Sequence, residues 1–310
     1  MSRIHEALKK AEQERIAIQT TDVAAAPQES IATATAWNDH ARGVVPDISL
    51  QAVAVDAPSA EHLRFDDLCA HCAHPEWNLD PNVNVFFNAS LSAHAAEQFR
   101  TLRSRLYQLR SNQNLRTLLI TSSVPGEGKT FVATNLAQAI IRQPDRRVLI
   151  IDADLRCARL HVPLGAPSTP GLTDYLRGQA EEMEVIQHGQ EGNLCLIAGG
   201  TEVSDPSELL SNGRLKKLLD RVTPMFDWVI LDSPPCLPVA DATILANFCD
   251  GILLVVRSGS TPSDVAQRAL QELQNRNIAG VVLNAVEKDH VYGSYYYQDY
   301  GYGPESKELH

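Results

Sequence analysis

A glycine-rich stretch follows the first of several apolar segments, at a spacing typical of phosphate-binding loops. It reads SVPGEGKT, with Ser123 standing where the strict motif has glycine. Gly126 and Gly128 allow backbone amides to curl around an anion, and the N-terminus of the helix that follows adds a partial positive charge. Lys129 is expected to reach the β and γ phosphates of a nucleotide, and the Thr130 hydroxyl to hold Mg²⁺. The stretch therefore predicts nucleotide binding.

Three aspartates lie at the ends of two further apolar segments. Asp152 and Asp154 follow one segment, and Asp232 ends another. Because ligands bind outside the carboxyl ends of parallel strands, all three are expected near the loop. Asp232 suits a Mg²⁺ carboxylate, while one of the other two can hold metal and the other can accept a proton or orient a water. The alternative is that these aspartates cap the helices that follow. Arg156 could pair with a phosphate or with another subunit.

The elements that must position these side chains alternate along the chain. Apolar strand patterns separated by helical patterns predict βαβ units, and hence an α/β fold with a parallel sheet covered by helices on both faces. Strands are expected at 117–121, 148–152, 194–198, 228–232, 252–256 and 281–284, and helices at 95–110, 130–142, 207–221 and 263–275.

The composition excludes several classes of protein. The 310 residues carry 27 Lys and Arg against 38 Asp and Glu, a net charge of -11, which argues against nonspecific nucleic-acid binding. We find no apolar run of the roughly 18 residues that a membrane span needs, and no secretory signal. The six cysteines show no disulfide framework, which favours a reducing cytoplasm.

The chain before the loop is expected to contain an amphipathic helix at 1–19 and an acidic, irregular linker at 20–85, a largely flexible extension. Within it, Cys69 and Cys72 lie beside two histidines. Adjacent crowding disfavours a zinc site there, and a short helical segment that packs its cysteines is the favoured interpretation.

The end of the chain is rich in tyrosine. Six of the eight tyrosines fall in the last 19 residues, among three glycines and without a core pattern, which is typical of a mobile tail. These tyrosines are Tyr292, Tyr295, Tyr296, Tyr297, Tyr300 and Tyr302.

Taken together, these motifs resemble those of the bacterial tyrosine kinases (BY-kinases), the autokinases of capsule and exopolysaccharide production. The resemblance rests on PGEGKT at 125–130, LIIDADLR at 149–156, VILDSPP at 229–235, EQFRTLR at 97–103 and the tyrosine tail. It covers roughly residues 86–302 and implies a P-loop fold of the partitioning-ATPase type. It places the kinase domain at 86–290 and the tail at 291–310.

The resemblance also implies roles for single residues. Asp152 would be the base for a tyrosyl hydroxyl, and Asp154, Asp232 and Thr130 would hold Mg²⁺. ATP would be bound by Ser123, Pro125, Gly126, Glu127, Gly128, Lys129, Thr130, Phe131 and Asn284. Contacts between subunits would come from Glu97, Arg100 and Arg103, in a ring in which each tail enters a neighbouring active site.

Partners follow from the same resemblance. Since this sequence shows no membrane span, it is similar to the relatives that rely on a separate membrane-embedded co-polymerase as activator, and a cognate tyrosine phosphatase is expected. The protein would be cytoplasmic, recruited to the inner face of the membrane, with no nucleic-acid partner. The alternative is a non-kinase positioning or partitioning ATPase, but such proteins carry an extra lysine where Val124 stands here.

Overall fold

A computed structural model describes residues 64–87, 92–190 and 192–286. The chain divides into two units, Met1–Ser59 and Ala60–His310, and all of the described residues lie in the second. The predicted N-terminal helix and the six tail tyrosines lie outside the described residues.

Seven strands form one sheet in the order β3-β4-β2-β5-β1-β6-β7. Their bounds are Thr117–Ser122 (β1), Arg147–Asp152 (β2), Ile186–His188 (β3), Asn193–Ile197 (β4), Trp228–Asp232 (β5), Gly251–Arg257 (β6) and Ile278–Asn284 (β7). Every neighbouring pair is parallel except β3 and β4, which are antiparallel. The predicted parallel sheet is confirmed, and the short edge strand β3 is an addition to it.

Ten α-helices connect or flank these strands within the described part of the chain. They are Phe65–His71 (α1), Ser92–Arg110 (α2), Lys129–Ile141 (α3), His161–Leu164 (α4), Leu172–Leu176 (α5), Glu182–Val185 (α6), Pro206–Ser211 (α7), Arg214–Val222 (α8), Asp241–Ala246 (α9) and Ser263–Glu272 (α10). The helix predicted at 207–221 is two helices, because Gly213 between them adopts a positive φ of 79°.

Side chains of alternate strand residues divide the interior into two apolar clusters, one on each face of the sheet. Leu119 and Leu231 belong to one cluster, whereas their neighbours Leu118 and Ile230 belong to the other. Helices α2 and α3 supply residues to the second cluster, and α5, α8 and α9 supply residues to the first. Continuous burial along β1 and β5 explains why these strands are near-continuous apolar runs.

Helix α1 lies in the range where the sequence predicts an irregular linker. Its Phe65 and Leu68 are buried in the first apolar cluster together with Cys72. The Phe65 ring meets Phe226 edge-on at 5.5 Å, and the Arg147 guanidinium lies 4.4 Å from its centre. The packed domain therefore begins no later than Phe65, about twenty residues before the predicted boundary, because these apolar side chains find a place against the sheet.

Candidate active site

The loop between β1 and α3 has the backbone that a phosphate cradle requires. Gly126 and Gly128 adopt φ values of 83° and 96°, which favour glycine. A Cβ atom at Gly128 would lie 2.1 Å from Asn284 Nδ2. Glycine is therefore required at position 128 for two reasons, the positive φ of the residue and the close approach of Asn284 at the end of β7.

The other residues predicted to bind nucleotide lie around this loop and differ in burial and in their contacts. Lys129 is 9% exposed at the first position of α3, and the buried Ser123 hydroxyl has no hydrogen-bond partner among the described residues. Phe131 packs edge-on against Phe99 of α2, with ring centres 5.8 Å apart. Asn284 donates a hydrogen bond to the backbone carbonyl of Glu127 at 2.8 Å. Phe131 and Asn284 thus hold the loop and its helix in place.

Strand register brings two of the predicted aspartates together. Asp152 at the end of β2 pairs with Asp232 at the end of β5, and β5 also pairs with β1 directly before the loop. The Thr130 hydroxyl at the start of α3 donates a hydrogen bond to Asp232 Oδ2 at 2.6 Å. The sheet therefore places the predicted metal-holding hydroxyl and carboxylate in direct contact.

The two aspartates after β2 differ in their access to solvent. Asp152 is fully buried, and its Oδ2 accepts a hydrogen bond from the backbone amide of Leu160 at 2.8 Å. Asp154 is half-buried and its Oδ1 accepts from the Cys157 amide at 3.1 Å. The Asp152 carboxyl is thus enclosed at the end of β2, whereas the Asp154 carboxyl is accessible to a ligand from solvent.

Burial raises the pKa of all three carboxyl groups, so each of them ionises less readily than a carboxyl in water. Desolvation raises the pKa of Asp232 to about 7, although the hydrogen bond from Thr130 and the charge of Lys129 lower it. The pKa of Asp152 is also raised, by desolvation first and then by the charge of Asp232. Desolvation raises the pKa of Asp154, and the charge of Lys129 opposes this. A bound cation would favour ionisation of these carboxyl groups, because its charge offsets their desolvation.

Mg²⁺ and a nucleotide fit this arrangement. Oδ1 of Asp152 and Oδ1 of Asp232 are buried without a hydrogen-bond partner in the part of the chain that the structure describes. The described residues include no cluster of three His, Cys, Asp or Glu side chains that could hold a metal ion by themselves. Since Mg²⁺ is usually held by one or two protein ligands together with phosphate oxygens and water, Thr130, Asp154 and Asp232 are a suitable set.

An ion pair between Arg156 and Asp241, which no motif indicates, fixes the segment after Asp154. Arg156 donates to both oxygens of the fully buried Asp241 on α9, at 2.7 and 3.1 Å, and to the Ser207 hydroxyl at 3.0 Å. Ser207 on α7 donates to Asp241 as well, at 2.5 Å. Arg156 is therefore paired within its own chain, which sequence reasoning missed because Asp241 stands 85 residues away without a recognisable pattern.

The predicted oligomerisation residues on α2 do not share one environment. Glu97 and Arg100 form an exposed ion pair at 2.8 Å. Arg103 instead donates to the backbone carbonyl of Ala139 on α3 at 2.5 Å, and is partly buried. Glu97 and Arg100 thus remain on the surface, whereas Arg103 also ties α2 to α3.

The cysteines near α1 confirm the favoured helical interpretation. Cys69 lies in α1, and Cys72, which directly follows it, is buried in the first apolar cluster. His74 shares a hydrogen bond of 2.6 Å with the carbonyl of Cys69. Burial raises the pKa of Cys72 to about 11, so its thiol stays protonated at neutral pH.

Comparison with known proteins gives consistent results. The family model described as an AAA domain matches residues 115–277. The tyrosine-protein kinase YwqD of Bacillus subtilis is 36% identical over 204 residues, which cover 64% of this chain and 86% of YwqD. The tyrosine-protein kinase etk of Escherichia coli K12 is 38% identical over 196 residues, which cover 63% of this chain.

Solved structures give the same family. The kinase domain of the Escherichia coli tyrosine kinase ETK matches with a TM-score of 0.58 and 36% identity, over 64% of this chain and 80% of that domain. The BceF tyrosine kinase domain matches with a TM-score of 0.59 and 28% identity, over 69% and 91%. The chain spans most of YwqD but 27% of the length of etk.

None of the helices in the described ranges has the length and apolar character of a membrane span.

Proposed function

This chain belongs to the family of bacterial tyrosine-protein kinases, and we propose that it is an autokinase that phosphorylates its own C-terminal tyrosines in trans, within an oligomer. The observation that carries the proposal is the joint placement of the phosphate loop, the Thr130–Asp232 contact and two further carboxylates at one edge of the sheet. Retention of a nucleotide needs fewer carboxylates than this, whereas transfer to a hydroxyl also needs a proton acceptor.

Each residue has a part in this reaction. ATP supplies the γ-phosphoryl group, and Mg²⁺ when bound spreads the charge that develops on it. Lys129 binds the phosphates, and Thr130, Asp154 and Asp232 hold the metal. The tyrosyl O–H bond breaks and its proton passes to Asp152, whose pKa is raised by burial and by the charge of Asp232. The tyrosyl oxygen bonds to the γ-phosphorus as the bond to the leaving ADP oxygen breaks.

The assignment of the base can be tested against the alternative carboxylate. Asp152 is fully buried and Asp154 is not, so an incoming tyrosine meets Asp154 first unless the segment after β2 moves. We expect Asp152→Asn to lower kcat by at least about 100-fold with little change in ATP affinity. Loss of ATP affinity in Asp152→Asn, together with loss of kcat alone in Asp154→Asn, would reverse the two roles.

The kinase activity itself is tested by incubating the protein with Mg-ATP and mapping phosphotyrosine by mass spectrometry. We expect labelling of the six tail tyrosines, abolished in Lys129→Met and in a chain truncated after Asp289. A peptide from the membrane activator is added in a parallel arm. ATP hydrolysis without phosphotyrosine in both arms would favour a positioning ATPase.

Transfer between subunits has its own test. A mixture of Lys129→Met, which keeps the tail but lacks the phosphate-binding lysine, with the truncated chain, which has the site but lacks the tail, should label Lys129→Met. Each variant alone should stay unlabelled. Two results together would contradict transfer in trans. They are a rate of wild-type labelling that does not depend on protein concentration, and no labelling in the mixture.

Assembly through α2 is supported by the exposed Glu97–Arg100 pair. Each phosphate adds nearly two negative charges to the tail, so phosphorylation is expected to weaken the ring through repulsion. Sizing of ATP-treated protein beside a variant with all six tail tyrosines changed to Phe checks this. Identical assembly in both would contradict the proposed repulsion.

In the cell, we place this kinase in the control of exopolysaccharide or capsule synthesis, at the inner face of the membrane with a co-polymerase as activator and a phosphatase as antagonist. The support is the names of the relatives, which include a tyrosine-protein kinase in a cps region of Klebsiella pneumoniae. Loss of polysaccharide chain-length control in a Lys129→Met strain would support this placement, and unchanged polysaccharide would contradict it.

A further inference from the structure

Glu127 is buried in the middle of the phosphate loop, and its carboxyl group is engaged entirely within the protein. One oxygen, Oε2, accepts a hydrogen bond from the backbone amide of Val124 at 2.8 Å. The other, Oε1, accepts from the backbone amide of Arg257 at 3.3 Å and from the Thr261 hydroxyl. Arg257 ends β6 and Thr261 lies in the turn after it. The side chain therefore joins the loop to β6.

The backbone of the loop is held from strands β6 and β7. The Arg257 guanidinium donates to the carbonyl of Gly126 at 3.2 Å, and the Asn284 amide donates to the carbonyl of Glu127 at 2.8 Å. In a trans peptide the N–H group points opposite to the C=O group of the preceding residue. Holding these two carbonyls towards β6 and β7 therefore turns the amides of Glu127 and Gly128 the other way.

We infer that Glu127 is a positioning residue, which with Arg257, Thr261 and Asn284 presets two loop amides for a phosphate before the nucleotide arrives. Preorganisation of this kind raises affinity because the loop loses little freedom on binding. The inference deepens the proposed nucleotide site and rests on phosphate binding there. It also changes the part expected of Glu127, which acts on the nucleotide through the loop backbone.

Nucleotide affinity tests this inference without reference to phosphoryl transfer. Glu127→Gln replaces one acceptor oxygen with a donor, so we expect ADP to bind about tenfold more weakly or worse by calorimetry. Thr261→Val should weaken ADP binding in the same direction, while Thr261→Ser keeps the hydroxyl and should bind as the wild type does. Pyrophosphate should lose affinity by the same factor as ADP, because the loop amides contact phosphate.

Hydrogen exchange separates local positioning from general damage. In nucleotide-free protein, Glu127→Gln should speed exchange at the loop amides while leaving the amides of β2 and β5 as protected as before. Wild-type ADP affinity and loop exchange in Glu127→Gln would overturn the inference. If Glu127→Gln does not fold, the threonine pair decides, and equal ADP affinity in Thr261→Val and Thr261→Ser would overturn it.

These outcomes are distinct from those of the kinase test. A wild-type protein that binds ADP but makes no phosphotyrosine would contradict the proposed function and leave the role of Glu127 intact. If Glu127→Gln forms phosphotyrosine and binds ADP as tightly as the wild type does, the proposed function stands and the role inferred for Glu127 is contradicted.

Discussion

Replacing Asp232 with asparagine should stabilise the nucleotide-free protein, and the gain should grow as the pH rises. The carboxyl is buried, and its pKa is raised from 3.8 to about 7. Between these values the folded protein holds a proton that the unfolded chain releases, so each step up in pH favours unfolding. The cost of ionisation is fully present above about pH 7, and asparagine removes it while keeping an oxygen that can accept from Thr130.

The magnitude follows from the size of the shift. At about 1.4 kcal/mol per pKa unit, the variant should gain about 4 kcal/mol at pH 8 and about 2 kcal/mol near pH 5. Urea unfolding at the two pH values measures both free energies. The matched control is Asp220→Asn, because the Asp220 side chain is 62% exposed and pairs with Lys216 on the surface. The control should change stability by less than about 0.5 kcal/mol at either pH.

Ligand binding provides a second readout for the same variant. Mg-ADP should raise the melting temperature of the wild type more at pH 8 than near pH 5, since the cation must displace the proton on Asp232. The variant should lose most of this pH dependence. Asp232→Asn protein that is no more stable than the wild type at pH 8, or equally stabilised at both pH values, would refute the reasoning.

Three further substitutions test other contacts. Gly128→Ala places a Cβ atom 2.1 Å from Asn284 Nδ2 at a positive φ, so ADP should bind at least about tenfold more weakly by calorimetry in a folded chain; unchanged affinity would contradict the close approach. Arg156→Ala leaves the buried carboxyl of Asp241 with one hydrogen-bond donor among those described. Urea unfolding at neutral pH should therefore show a free energy of unfolding lower by about 2 kcal/mol. A decrease of less than about 0.5 kcal/mol would contradict the pairing. Arg103→Met removes a hydrogen bond to a backbone carbonyl of α3, so the free energy of unfolding should fall by about 1 kcal/mol even in dilute monomer; a change confined to assembly would refute this.

Local patterns in the sequence predicted most of the sheet. Six of the seven strands were expected to within three residues of their observed bounds. Five of these six are buried along most of their length, and a strand buried on both faces is a continuous apolar run whatever its neighbours are, whereas β7 is partly exposed. Strand β3 has three residues, too few to show a period, and its antiparallel pairing with β4 depends on where the chain returns. A short helix was expected at the cysteines, but its place in the folded domain was not, since two buried side chains in seven residues form a weak pattern.

The site divides in the same way. The glycines, Lys129 and Thr130 are contiguous, and a strand–loop–helix sequence alone carries their chemistry. The aspartates at the strand ends were predicted because parallel strands bring their carboxyl ends to one edge. Their different burial, and hence their different access and raised pKa values, could not be read from the sequence, because desolvation depends on everything packed around a carboxyl.

What the sequence by itself determined is therefore the list of reacting groups and the edge of the sheet at which they gather. The tertiary structure alone decided how those groups are held: Asp152 beside Asp232 by strand register, and Arg156 on Asp241 from 85 residues away. It also decided that Glu127 braces the loop against a turn 134 residues further along the chain. Such contacts leave no local pattern, because a hydrogen bond between distant residues is set by the path of the whole chain and not by the neighbours of either partner.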